Sequence, residues 1–466
     1  MTATAEAPTA PVDIPTVLTT LRSTFASGRT RPLTWRREQL QGLRRMLVDR
    51  EEELLAALAT DLGKPPAEAW ATDVGFVISE IDHVLHHLRA WARPERVWAP
   101  LVTRPAKARV VREPYGVALV IAPWNYPVQL LVSPMVGALA AGNCVVAKPS
   151  EVAAATSTAL ARLIPKFVDT DAVAVVEGGV PETQALLAEP FDYIFYTGNG
   201  RVGRVVMEAA AQHLTPVTLE LGGKSPVIVD DTADLRVAAR RIAWGKYLNA
   251  GQTCIAPDYV LVTAGQEERL VEELRRAVFD FYGADPKASP DYARIVNDAH
   301  VKRLTGLLDG GQATVGGTID ADERYIAPTV LQSVSDDAPV MRDEIFGPIL
   351  PVRTVGGVDD AVEFVNGRER PLALYLFTGS RAARDRVLSG TSSGGAAVNA
   401  TMFQVAVPGL PFGGVGPSGL GAYHGRASFN TFSHAKAVLR KPPKPDPDLA
   451  YPPYTARKEK LLRRFL

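Results

Sequence analysis

The stretch "DYIFYTGNGRVGRVVMEAAAQHLTPVTLEL", residues 192–221, reads as a strand, a glycine turn, a helix and a second strand. Tyr193 to Thr197 is a short β-favouring run, Gly198, Gly200 and Gly203 punctuate the residues after it, and Val217 to Leu221 is β-favouring again. Two strands joined by a helical crossover lie parallel. The same alternation runs upstream through "GVALVIAP" (116–123), "NCVVAK" (143–148) and "AVAVVEG" (172–178), so a parallel, doubly wound α/β sheet is expected. After Gly222 a second series begins, with "YVLVT" (259–263), "APTVLQSV" (327–334), "GPILPVR" (347–353) and "LALYLFT" (372–378) as its strands. Two α/β domains therefore meet near residue 220, where a cleft would form.

Ahead of the first sheet, Leu40, Leu43, Leu47, Leu54, Leu55, Leu58 and Leu62 recur at near-helical spacing and predict packing helices. Residues 96–114 read as a protruding hairpin around Arg104 and Pro105. This divides the chain into a first domain of residues 14–95 and 115–219, a second of 220–410, and bridging strands at 96–114 and 427–441. Residues 1–13 read as a loose leader and 442–466 as a tail, its Pro-rich part (441–454) expected to lie as an extended strap on the surface. The uncharged run "LLVSPMVGALAAGNCVVA" (130–147) is long enough to span a membrane. Pro134, Gly142 and Asn143 instead divide it into a buried helix and a strand.

A formal net charge of zero gives no electrostatic reason to expect nucleic acid or an acidic membrane as partner. A small-molecule ligand is expected. The start of the chain lacks a basic, then apolar signal sequence, and Cys144 and Cys254, the only two cysteines, form neither a CxxC pair nor a disulfide framework. A cytoplasmic location follows as an expectation.

Several short stretches have the composition of a reactive site, and each also has a plain structural reading. Gly198, Gly200 and Gly203 form a GxGxxG that can bring backbone N–H groups to a pyrophosphate, or simply make a turn. That fingerprint would use Glu220, about twenty positions on, to hold a ribose. Lys148 and Glu151 in "VAKPSE" follow a strand directly and are the better ribose readers, which leaves Glu220 free for chemistry. In "APWNYP" (122–127) two prolines fix Trp124, Asn125 and Tyr126 at a strand end, where the Asn125 amide can serve an oxyanion or merely the turn. In "DEIFGP" (343–348), Glu344 precedes an apolar bend at Phe346 that could hold a sugar; the alternative is a solvated loop charge. Cys254 in "GQTCIAPDY" is a nucleophile or an inert buried thiol. His83, His86 and His87 have helical spacing, lack a clear fourth ligand for zinc, and read as one flank of a packing helix; no metal site is expected.

Taken in order, "PWNYP", "KPSE", "YTGNGRVG", "LELGGKSP", "GQTC", "EIFGP" and "PFGGVGPSG" resemble the aldehyde dehydrogenase superfamily over roughly residues 20 to 440. "HLTPVTLELGGKSP", "RRIAWGKYLNAGQTCIAPDY" and "GAYHGRASFNTFSH" resemble its class 3 branch, whose members often form dimers. The resemblance implies a Rossmann-like NAD(P)-binding domain, a second α/β catalytic domain and a small β hairpin for oligomerisation. It implies Cys254 as nucleophile, Asn125 as oxyanion donor and Glu220 as the base that activates water on a thioester. Trp124, Lys148, Glu151, Gly198, Asn199, Gly203, Glu344 and Phe346 would hold the cofactor, NAD with NADP accepted. Tyr126, Trp244 and Leu248 match pocket positions for a medium or larger apolar aldehyde, or are core. Gly200 departs from the hydroxyl residue common there, which removes a phosphate contact. The competing readings are a cysteine hydrolase, which would need a histidine base near Cys254, and an inactive dinucleotide-binding protein.

Overall fold

The computed structural model describes residues 13–100, 103–446 and 448–465; the expected leader lies almost wholly outside them. Its first sheet has six strands in the spatial order Gly419–Leu420, Val217–Glu220, Tyr193–Thr197, Val117–Ile121, Cys144–Lys148, Val173–Val175. The last five are parallel, and Gly419–Leu420 closes one edge antiparallel to Val217–Glu220. From the central strand at 117 the chain steps outward to 144 and 173, then returns to the other side at 193 and steps outward to 217. That reversal opens a crevice at the carboxyl ends of the strands at 117 and 193, where open α/β sheets take their ligands. Ile121, Lys148 and Tyr196 are direct neighbours across those ends, and Thr197 pairs with Glu220.

The strands at 117, 144 and 193 are buried throughout, which is why they read as continuous apolar runs rather than alternating ones. The helix Gln129–Ala141 is buried at every residue, carries Pro134 inside rather than ending there, and stops at Gly142. Among the described residues no helix is long and apolar enough to cross a membrane.

The second sheet has seven strands in the order Gln312–Val315, Thr329–Gln332, Ile349–Val355, Tyr259–Thr263, Pro226–Val229, Ala373–Phe377, Gly395–Val398. All are parallel except the first. Pro226–Val229 and Gly395–Val398 lie outside the strands expected from sequence: the first is four residues long and the second is built of small residues and half-exposed. Each sheet has its own apolar core. The first core joins the N-terminal helices to residues as late as Tyr423, Phe429 and Phe432, and the second runs from Val227 to Met402. Only five residues separate the end of one sheet's strand at Glu220 from the start of the other's at Pro226.

A third, three-stranded antiparallel sheet stands apart: Glu95–Val97, Lys107–Pro114 and Ser433–Arg440. Within the Pro-rich part of the tail a 3₁₀ turn at Asp448–Ala450 interrupts the extended reading, and a charged helix, Ala456–Phe465, follows that part. The helix Gly75–Trp91 carries the three histidines on one flank, with the His87 ring stacked on Trp91 at 5.5 Å.

Candidate active site

Cys254 lies on the irregular segment between the helix Leu235–Tyr247 and the strand Tyr259–Thr263, at the amino end of the second sheet. The backbone approaching it is unusual: Asn249, Ala250 and Gly251 all have positive φ, at 52°, 50° and 76°. Two consecutive non-glycine residues in that region store roughly 1–3 kcal/mol each, a strain that clusters at functional sites. Gly251 is obligatory, because a Cβ there would lie 2.2 Å from the carbonyl oxygen of Gly347. The cysteine loop is thereby seated against the segment that follows Glu344. Cys254 itself is half-buried. Burial, then the negative charges of Glu344 and Glu220, push its thiol up to about 12, partly offset by the backbone N–H groups of Cys254 and Ile255.

Asn125 sits just past the central strand of the first sheet and is buried. Its side-chain amide donates to the carbonyl of Gln252 at 3.1 Å, and its own carbonyl accepts from the Asn249 side chain at 2.9 Å. The Tyr126 hydroxyl meets Thr253 Oγ1 at 2.5 Å. The Pro-bounded turn is thus bonded directly to residues 249–253, one step from the thiol. Glu220 ends a buried strand, and neither carboxylate oxygen has a hydrogen-bond partner among the described residues. Burial alone raises its pKa well above the usual carboxylate range. Cys254, Asn125 and Glu220, far apart in sequence, therefore converge where the two sheets meet. The groups that shift the Cys254 thiol most are Glu344, Glu220 and the N–H groups of Cys254 and Ile255, none of them the histidine a hydrolase would need.

Glu344 is held from both sides. Lys224 forms a short ion pair with Asp258 and donates to the carbonyls of Val340 and Asp343 at 2.8 and 2.9 Å, while Asp258 accepts the N–H of Ile345 at 3.1 Å. The N–H of Gly223 bonds the Glu344 carboxylate, and burial, with Asp258 nearby, pushes its pKa up to about 8. Trp124 packs between His300 and Phe346, with ring centroids at 5.0 and 5.3 Å. Across the crevice, Lys148 Nζ meets Glu151 Oε2 at 2.8 Å, with the lysine buried and the carboxylate half-exposed. The Gly198 N–H donates to the Glu220 carbonyl, Asn199 caps the helix Gly200–His213 through the N–H of Val202, and Gly203 is buried against the sheet.

These groups fit a dinucleotide. The crevice sits at the strand-order reversal, a capped helix N-terminus opens onto it, and Glu344 Oε1 is a buried acceptor without a partner among the described residues, which a sugar hydroxyl would satisfy. At the other end of the site, Tyr126 is buried, Trp244 stacks on Phe403 at 4.9 Å, and Trp244 and Leu248 pack with Cys254 on the second core.

A profile described as the aldehyde dehydrogenase family matches residues 3–438. The chain belongs to the aldehyde dehydrogenase family. It is 50% identical over 444 residues to mouse aldehyde dehydrogenase family 3 member B1, covering 95% of each chain. It is also 50% identical over 448 residues to mouse family 3 member A2, covering 96% of this chain and 93% of that one. A substrate-bound structure of Staphylococcus aureus AldH superposes with a TM-score of 0.95 at 44% identity, over 97% of this chain and 99% of the other. The NAD-dependent aldehyde dehydrogenase of Sinorhizobium meliloti superposes at 0.84 and 31% identity, over 93% and 88%.

Within this aldehyde dehydrogenase fold, sequence reading misses the polar struts behind the site. Lys224 stands in a quoted motif without a role, Asp258 follows Cys254 by four residues, and Lys64 and Asp73 lie in a segment without any motif. The local signal for the last two is only that they, with Glu68, are the charged residues of the short stretch between the helices Glu51–Leu62 and Gly75–Trp91.

Proposed function

We propose that the protein oxidises aldehydes to carboxylic acids, with Cys254 as nucleophile, Asn125 as oxyanion donor and Glu220 as base, and with NAD as cofactor and NADP accepted. The observation that carries this reading is the convergence of the Asn125 amide and the unpartnered Glu220 carboxylate on the strained loop of the only cysteine in the cleft. The Cys254 thiol gives up its proton to solvent, and the thiolate sulfur adds to the aldehyde carbon. The alkoxide so formed is held by the Asn125 side chain and the Cys254 N–H. When bound, the cofactor supplies the acceptor for the hydride lost from that carbon. A thioester on Cys254 remains. Glu220 then takes a proton from water as its oxygen attacks the thioester carbon, the C–S bond breaks, and the acid leaves with the thiol restored.

Lys148, Glu151, Gly198, Asn199, Gly203, Trp124, Glu344 and Phe346 hold the cofactor in this reading. Glu151 would accept from ribose hydroxyls and repel a 2′-phosphate. Glu151→Gln should shift the ratio of kcat/KM toward NADP by about tenfold, or ~1.4 kcal/mol; an unchanged ratio in steady-state assays counts against that role. Gly222 gives a second handle, because a Cβ there would lie 2.0 Å from Glu344 Oε2. Gly222→Ala should push the carboxylate aside and weaken NAD binding by roughly ten- to a hundredfold, the ~1.5–3 kcal/mol of hydrogen bonds to a charged group. Calorimetric titration showing wild-type affinity would remove Glu344 from the cofactor site.

Tyr126, Trp244 and Leu248 favour an apolar aldehyde of medium or larger size. A homodimer is supported by the third sheet, which stands apart from both cores and exposes Val97 and Leu439, with the exposed Trp98 just past its first strand. A cytoplasmic location is supported by two free thiols and a balanced charge. The direct test is reduced-nicotinamide absorbance with NAD, then NADP, across aliphatic and aromatic aldehydes; silence from folded, NAD-binding protein would favour the inactive reading.

A further inference from the structure

A fully buried ion pair has no part in the chemistry above. Lys64 follows the helix Glu51–Leu62 and Asp73 lies in a π-helical turn, Trp70–Val74; both side chains have zero exposure and meet at 2.7 Å. Burying two charges is repaid only when their remaining hydrogen bonds are made, and an apolar pair of similar volume often stabilises a fold as well. Stability alone is therefore a weak reason for the pair. Its other contacts are specific. Lys64 Nζ donates to the carbonyl of Asn125 at 3.0 Å and sits 3.8 Å from the Tyr126 ring centroid. Asp73 Oδ1 accepts the N–H groups of Val128 and Gln129, both at 3.2 Å. The pair thus grips residues 125–129 at four points.

The same segment reaches the other wall of the site. Glu68, between the two charges in sequence, accepts the N–H of Asn249 at 2.8 Å. Asn249 in turn donates to the Asn125 carbonyl and to that of Gln252, the oxygen that also receives the Asn125 amide. Residues 64–73 accordingly hold the turn bearing Asn125 and the loop bearing Cys254 in one hydrogen-bonded frame. A π-helical turn, often found at functional sites, supplies Asp73 to it.

We infer that Lys64 and Asp73 are positioning residues that set the Asn125 amide against Cys254, so that their loss weakens oxyanion binding while leaving cofactor binding intact. This rests on the proposed role of Asn125. The test compares kcat, aldehyde KM, NAD affinity and thermal midpoint for wild type, Asn125→Ala, Lys64→Met and the double variant Lys64→Met/Asp73→Asn, with the double variant repeated on Asn125→Ala. Removing both charges strands neither, which keeps the double variant folded if Lys64→Met alone is not. Asn125→Ala should lower kcat about a hundred- to a thousandfold. The double variant should lower kcat per folded enzyme by about ten- to a hundredfold, as displacement of a catalytic group does, with NAD affinity unchanged. On the Asn125→Ala background it should change kcat by less than about twofold, because two changes acting through one group do not add. Equal losses on both backgrounds, or no loss on either, overturn the inference. Full activity of Asn125→Ala would overturn the oxyanion role first, and this inference with it.

Discussion

Cys254→Ala abolishes aldehyde-dependent nicotinamide reduction, with kcat down by at least about 10⁴-fold, the scale on which a covalent nucleophile acts. NAD affinity and the thermal midpoint stay near wild type, because the half-buried side chain loses only its sulfur atom. The other cysteine cannot substitute: Cys144 is wholly buried in the first sheet. The thiol's environment adds a pH signature. With its pKa pushed up to about 12, alkylation of Cys254 in cofactor-free protein is slow at neutral pH and climbs steadily into the alkaline range as thiolate forms. Residual turnover in the alanine variant, measured by absorbance of the reduced cofactor, would place the nucleophile elsewhere.

Glu220→Gln separates the two halves of the reaction. It yields one equivalent of reduced cofactor per site and then stalls, with steady turnover lower by about 10²–10⁴-fold, the usual worth of a general base. Rapid-mixing absorbance shows the burst, and mass spectrometry of the stalled enzyme shows an acyl group on Cys254. In wild type the raised pKa of Glu220 leaves it protonated at low pH, so thioester hydrolysis speeds up as pH rises and the carboxylate forms. Unchanged turnover in the glutamine variant would remove Glu220 as base. A shift in cofactor preference instead would return it to the ribose, where its spacing from Gly198 would place it.

Both experiments address residues that are legible in the sequence, and there is a physical reason for that. Cys254, Asn125 and Glu220 sit at strand ends and in tight turns, where Pro123, Pro127 and Gly251 leave local marks. The buried strands at 117, 144 and 193 are legible because their apolar runs are uninterrupted. Gly395–Val398 is not, because small, half-exposed residues carry no pattern of either period. Pro134 reads as a break but is housed inside a helix, all of whose residues are buried. Lys64 and Asp73 are invisible for a different reason: their meaning lies in contacts with residues more than fifty positions away, and a lysine in a helix-following turn ordinarily faces water.

The antiparallel strand at Gly419–Leu420 ties the surroundings of Glu220, the proposed base, to the order of synthesis. Gly419 pairs with Glu220 itself, and the N–H of Leu221 bonds the carbonyl of Ser418, so the edge beside the carboxylate stays open until that later segment has been made. A chain that has already produced Cys254, Asn125 and Glu220 still lacks Gly419 as the pairing partner of Glu220 and the Ser418 carbonyl for the N–H of Leu221. The edge of the first sheet beside that carboxylate is therefore finished by a segment that follows Cys254 in the order of synthesis.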